Sequence, residues 1–284
     1  MPEVITDMAA AEKRTVWTIG AVLAVTIAFS TALHNFFPWV LSVPSNSGVP
    51  HTGLPVMFLM DLVPVALAAL CFWHARRTLG LYSAALFLAG SFFFTGLEEN
   101  VWIFIGRYIH LLGAVSPEMG AASGTYYFTR GFFWWGEIPV SICLAWFFIA
   151  YSCVYMSSVL LPRAALRLRA ALGGFLAMDF DLWLDPVQVH PHWQSWVWVA
   201  AEPVKVLSVP LTNFAGWFLL IFLFALVFDR LPALRAKYGP GKAAAVFFLV
   251  LLGIEAAMLT SFMAYGYLAM KYITVPVNLT LWGI

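Results

Sequence analysis

Residues 79–104 read LGLYSAALFLAGSFFFTGLEENVWIF. A bilayer's hydrocarbon core is about 30 Å thick and a helix rises about 1.5 Å per residue, so about 20 mostly apolar residues cross it. No charge interrupts this stretch up to Leu97; Glu98 and Glu99 then follow side by side. It therefore predicts a membrane-crossing helix with two carboxyls near one end.

The rest of the chain agrees. Its 284 residues are 62% hydrophobic and 10% charged, against about 25% charged for a soluble domain. Six further spans are predicted at 16–34, 54–73, 138–161, 166–184, 210–228 and 243–270. The last is long enough to tilt or project. Span 166–184 is the weakest, with Arg167 and Arg169 at its start and Asp179 and Asp181 near its end. The expected fold is all-α, one polytopic integral membrane bundle of about seven transmembrane helices over residues 1–284, without internal repeats. Ser30-Thr31-Ala32 mimics a cleavage site, but the first apolar run exceeds a signal-peptide core and is expected to stay as an anchor.

Eleven of the fifteen basic residues fall in alternate connections: Lys13 and Arg14, Arg76 and Arg77, Arg163 to Arg169, and Arg230 to Lys242. Only Arg107, Arg130, Lys205 and Lys271 fall on the other side. The positive-inside rule then predicts a cytoplasmic N-terminus and an outer C-terminus. The expected location is a bacterial cytoplasmic (inner) membrane. A formal charge of +1 gives no reason to expect nucleic acid as a partner, and membrane lipid is the implied surroundings. Cys71, Cys143 and Cys153 lie in apolar stretches without metal or disulfide spacing, and read as packing residues.

The acidic residues gather at the less basic side. Asp61, Glu98, Glu99, Glu137, Asp179, Asp181, Asp185 and Glu202 lie in the outer half or just beyond it, and Glu255 falls near mid-span. A carboxylate in hydrocarbon costs about 2.5–3.5 kcal/mol on insertion scales, so each needs a partner, water or a proton. A carboxyl in apolar surroundings can remain a proton donor at neutral pH. Adjacent helical residues point about 100° apart, so one of Glu98 and Glu99 faces inward and the other can pair with Arg107 or Arg130. Asp179 and Asp181 likewise take different faces. Asp185-Pro186 reads as a helix end before a turn. Asp61 and Glu255 fit either structural hydrogen bonding or function.

His190-Pro191-His192 lacks the spacing of a metal pair and reads as a polar loop. Trp193, Trp196 and Trp198 fit an aromatic belt on a short interfacial helix, or a wall for a long apolar substrate; Phe132 to Trp135 allow the same two readings. The sequence holds no phosphate-binding loop, dinucleotide fingerprint, zinc-protease motif or serine-nucleophile elbow. No metal and no cofactor are expected. Acid–base chemistry, or none, is left.

The run Asp179-Phe-Asp181-Leu-Trp-Leu-Asp185-Pro186, then Trp193, Trp196 and Trp198, then Pro210-Leu-Thr-Asn213-Phe-Ala-Gly216-Trp217 resembles the carotenoid biosynthesis membrane protein family that includes the CruF-type carotenoid 1,2-hydratases. Gly96-Leu-Glu98, Tyr126-Tyr127, Pro139 and Trp146 resemble its earlier helices. The chain departs from the family pattern at Glu99-Asn100-Val101-Trp102 and at Glu202-Pro203-Val204-Lys205. The resemblance implies a cofactor-independent hydratase (a lyase) that adds water to the terminal C1–C2 double bond of an acyclic carotenoid or related isoprenoid. Such chemistry needs one acid, a shielded water and a base. Asp61, Glu98, Asp179 and Asp181 are the candidates for acid and base. Asp185 and Asn213 would orient the water or serve structure. Trp193, Trp198 and Trp217 would contact the polyene or anchor the interface. Gly216 reads as a close helix contact. The rivals are a non-catalytic carotenoid-binding or assembly subunit and a proton-coupled transporter relaying through Asp61 and Glu255.

Overall fold

The computed structural model describes residues 2–37, 54–104, 126–190, 195–198 and 203–279. Its helices are α1 (Pro2–Phe36), α2 (Leu54–Leu79), α3 (Leu81–Phe104), α4 (Val140–Leu160), α5 (Leu166–Gln188), α6 (Leu211–Phe228), α7 (Leu231–Tyr238) and α8 (Pro240–Tyr272). Five segments are long and apolar enough to cross a membrane: α1, α3, α4, α6 together with α7, and α8. The helices α2 and α5 lie where the two remaining spans are expected. Most helices run past the apolar windows that foretell them, because hydropathy marks only the part suited to hydrocarbon. The short α7 was not foreseen. It starts beside Pro232 and carries Arg235 and Lys237 in its last turn, where cations favour the helix dipole.

One end of the bundle carries short strands: β1 (Tyr126–Phe128), β2 (Trp134–Trp135), β3 (Ile138–Pro139), β4 (Trp196–Trp198), β5 (Val204–Val206), β6 (Val209–Pro210) and β7 (Val277–Leu279). Two of the tryptophans expected on an interfacial helix, Trp196 and Trp198, lie instead in β4. Their spacing of two suits an extended segment, and β4 pairs antiparallel with β1, Tyr127 opposite Val197. The eleven basic residues of the alternate connections belong to the opposite end.

Two hairpins launch the central helices. In β2–β3 the loop is Gly136-Glu137, with Gly136 at φ +62°; only the first central residue is left-handed, as in a type II′ turn. In β5–β6 the loop is Leu207-Ser208, at φ +51° and +67°, a type I′ pattern built without glycine. The parallel strand β7 braces it, since Leu207 N donates to Leu279 O and Ser208 N to Asn278 Oδ1. Each hairpin ends on a proline, Pro139 or Pro210, with φ near −60° just before the helix.

The order α3–β1–β2–β3–α4 therefore recurs as α5–β4–β5–β6–α6. The starts of α4 and α6 align as PVSICLAW (139–146) and PLTNFAGW (210–217). The expectation of no repeat gives way to a repeat of architecture, with the aligned segments identical only at proline and tryptophan and conservative at Ser141/Thr212. Trp146 and Trp217, equivalent in the two units, pack with ring centroids 4.0 Å apart. Towards the basic end the core is phenylalanine: Phe87 of α3 meets Phe147, Phe224 and Phe228 edge-on.

Candidate active site

Asp181 and Asp185 lie one turn apart on α5, so they share a face, and both are buried, 0% and 2% exposed. The helix runs through Pro186 to Gln188, so Asp185 is inside it and not at its end. A proline in the last turn removes one backbone bond, and tertiary contacts hold Asp185 in place. Asn213 of α6 donates from Nδ2 to Asp181 Oδ2 at 2.7 Å and to Asp185 Oδ2 at 2.9 Å. Both N–H groups of the amide are thereby spent on carboxyl oxygens. The indole of Trp196 also faces Asp185. Asp181 Oδ1 is buried without a hydrogen-bond partner.

From α3, Glu99 is the more buried of the adjacent pair and accepts from Trp146 Nε1 at 2.9 Å. Glu98 is half-buried and has its hydrogen bond from Trp102, one turn on. Glu255 of α8 is buried within electrostatic reach of Glu98, and neither of its oxygens has a hydrogen-bond partner. Glu255, Glu98, Glu99, Asp185 and Asp181 thus follow one another as electrostatic neighbours. Like charges sharing a site do not all ionise together, so carboxyl clusters of this kind place a proton donor beside an acceptor.

Two small cavities open among these groups. One, of about 30 Å³, is lined by Glu98, Glu99, Asn213, Gly216, Trp198 and Trp217. The other, of about 50 Å³, is lined by Glu99, Asp185, Asn213, Trp146, Trp196 and Trp198. A water needs about 10–15 Å³ of such space and two or more polar partners, so each cavity accommodates water beside carboxyls and indole faces. The two repeated helices supply equivalent positions: Ile142, Ala145, Trp146 and Ile149 from α4, and Asn213, Gly216, Trp217 and Leu220 from α6.

Of the sequence candidates, Glu98, Asp181, Asp185, Asn213, Trp198 and Trp217 come together here. Asp179 does not: two residues from Asp181, about 200° around the helix, it is exposed. Asp61 lies in a separate groove, accepting from Ser141 Oγ at 2.6 Å and Phe132 N at 3.2 Å. Arg130 lies near Asp61 and donates to Ser195 Oγ; Arg107 and Trp193 lie outside the described residues. Glu99, Trp146 and Trp196 were not singled out for the site. A signal for Glu99 was present, because Ser91, Thr95 and Glu99 recur every four residues and form one buried polar stripe on α3. Gly216, expected at a helix contact, is buried, yet a Cβ there would meet nothing within 4 Å.

The model of the family described as "Carotenoid biosynthesis protein" matches residues 53–282. The chain belongs to that family. The match covers both repeated units and every residue of the carboxyl cluster. No curated protein and no solved structure matches the chain. Membership in carotenoid biosynthesis suits an isoprenoid ligand and a helical, membrane-type fold, and it is compatible with an enzyme.

Proposed function

We propose that this family member is a carotenoid hydratase that adds water to the terminal C1–C2 double bond of an acyclic carotenoid. The observation that carries the reading is a water-sized cavity walled by Glu98 and Glu99, floored by the Trp146–Trp217 pair and bordered by Asn213. In this reading Glu98 or Glu99 gives a proton to the less substituted alkene carbon, forming a C–H bond and a tertiary cation. The negative faces of the Trp198 and Trp217 rings stabilise that cation. Water then forms the C–O bond and passes a proton to Asp185, whose carboxyl Asn213 holds in common with Asp181. Return of that proton through the neighbouring carboxyls resets the acid. Alkene and water give a tertiary alcohol, and no group is consumed. Asp61 and Asp179 take no proton in this scheme.

The topology we assign is seven spans, with the basic end and N-terminus in the cytoplasm of a bacterial inner membrane and the strand-bearing end outside. Seven long helices and the eleven-to-four division of basic residues support it. The decisive experiment is expression in a bacterium that accumulates lycopene, followed by chromatography and mass spectrometry of the pigments. A more polar product heavier by one water is expected. Unchanged lycopene co-purifying with membrane-inserted protein would replace the hydratase with a carotenoid-binding subunit.

A further inference from the structure

Two apolar grooves flank the carboxyl cavities, and they differ. The groove between α6 and α8 has a volume of about 600 Å³ and is lined by Leu211, Ala215, Leu219 and Leu223 on one wall and Ile254 and Ala257 on the other. From Leu211 to Leu223 it follows α6 for roughly 18 Å. Among the described residues no charged side chain lines it. Thr212 and Phe262 line both this groove and the cavity of Glu98 and Glu99, so the two adjoin. One turn on from Thr212, Gly216 lines the cavity, buried but facing open space. The second groove, about 410 Å³ between α2, α4 and α5, ends against Asp61, Arg130 and Gln188. A hydrocarbon there would displace water from charged groups without replacing their hydrogen bonds, which is unfavourable. Its repeat-equivalent of Gly216 is Ala145, so one more carbon occupies that side.

We infer that the α6–α8 groove seats the hydrocarbon chain of the substrate, and that Gly216 admits its terminal group to the carboxyl cavity. This rests on the reading of a linear isoprenoid substrate given above and names its path. In so small a cavity, about 30 Å³, the narrow dimethyl end of an acyclic chain meets less steric resistance than a ring, so Gly216 is also the residue that favours an acyclic end.

The test uses lycopene-accumulating cells and full-length protein purified in detergent, with two readouts: pigment bound per protein and fraction of pigment hydrated. Gly216→Ala adds one carbon at the reacting end and is expected to lower hydration by about tenfold. Gly216→Leu fills the cavity and lowers it by about a hundredfold or more, while pigment stays bound in the groove. Ala215→Trp, at an exposed position on the groove wall, abolishes both readouts. Leu67→Trp, in the other groove, changes neither. If Leu67→Trp empties the protein of pigment and Ala215→Trp does not, the path is overturned with the hydratase reading intact. Wild-type hydration in Gly216→Leu removes the role of Gly216. Should that variant fail to fold, Ala215→Trp still decides the path. Should wild type bind lycopene without hydrating it, the hydratase reading falls and bound pigment alone decides the groove.

Discussion

The two repeated units share a scaffold and differ in what they do with it. Both pass from hairpin through proline into a helix whose tryptophan, seven residues on, reaches the shared centre. In the α3–α4 unit, Ser141 turns aside to Asp61, and position 142 is an isoleucine. In the α5–α6 unit the equivalent of Ile142 is Asn213, which ties two carboxyls together. The repeated element order supplies the frame, and a single amide with a missing Cβ makes one side polar and open. The largest expected effect tests that asymmetry. Glu99→Gln or Asp185→Asn should reduce hydration of lycopene by about 10²–10⁴-fold with pigment still bound. Asp61→Asn, outside the cavities, should leave turnover near wild type. Equal losses from all three would erase the distinction between the sides.

Making the units alike should cost stability. Asn213→Ile gives α6 the residue of α4 and withdraws both donors from Asp181 and Asp185. Leaving buried acceptors unsatisfied costs about 1–3 kcal/mol each, so a loss of about 3 kcal/mol is expected, read as a lower Tm in detergent. An unchanged Tm would mean that water replaces the amide.

The helices were legible because the requirement of length and apolarity is local and severe. The strands were not, because two- and three-residue segments such as Trp134–Trp135 and Val209–Pro210 carry no periodicity and depend on partners far along the chain. The same holds for the site. That carboxyls gather towards one end could be read from Glu98, Asp181 and Asp185. That Asp181 and Asp185 share a face required knowing that the helix continues past Pro186, against the local preference of a residue before proline. The repeat went unread because its sequence trace is three positions in eight, all of which serve launch and centre rather than the lipid-facing surface.

The hairpins offer a smaller test. Gly136→Ala would strain a left-handed position and push a Cβ into the amide of Asn100. That amide accepts from Glu137 N and donates to Trp135 O, so the turn and its anchor suffer together. A left-handed residue with a side chain costs about 1–2 kcal/mol, and at least this loss is expected by thermal unfolding. An unaffected Tm would show that the β2–β3 turn does not set the approach to α4.

The corresponding turn of the other unit should respond least of all. Leu207 and Ser208 hold positive φ although neither is glycine, so Ser208→Gly removes about 1 kcal/mol of steric cost. Two effects oppose it: glycine loses more backbone entropy on folding, roughly 0.5–1 kcal/mol, and the weak contact of Asn278 Nδ2 with Ser208 Oγ at 3.4 Å disappears. The backbone bond from residue 208 N to Asn278 Oδ1 survives the substitution. The net change should lie within about 0.5 kcal/mol of zero, measured as Tm, with hydration unchanged. A clear loss would assign the brace from β7 to the serine hydroxyl instead of the backbone, and would make this turn, unlike that of Gly136, dependent on a side chain.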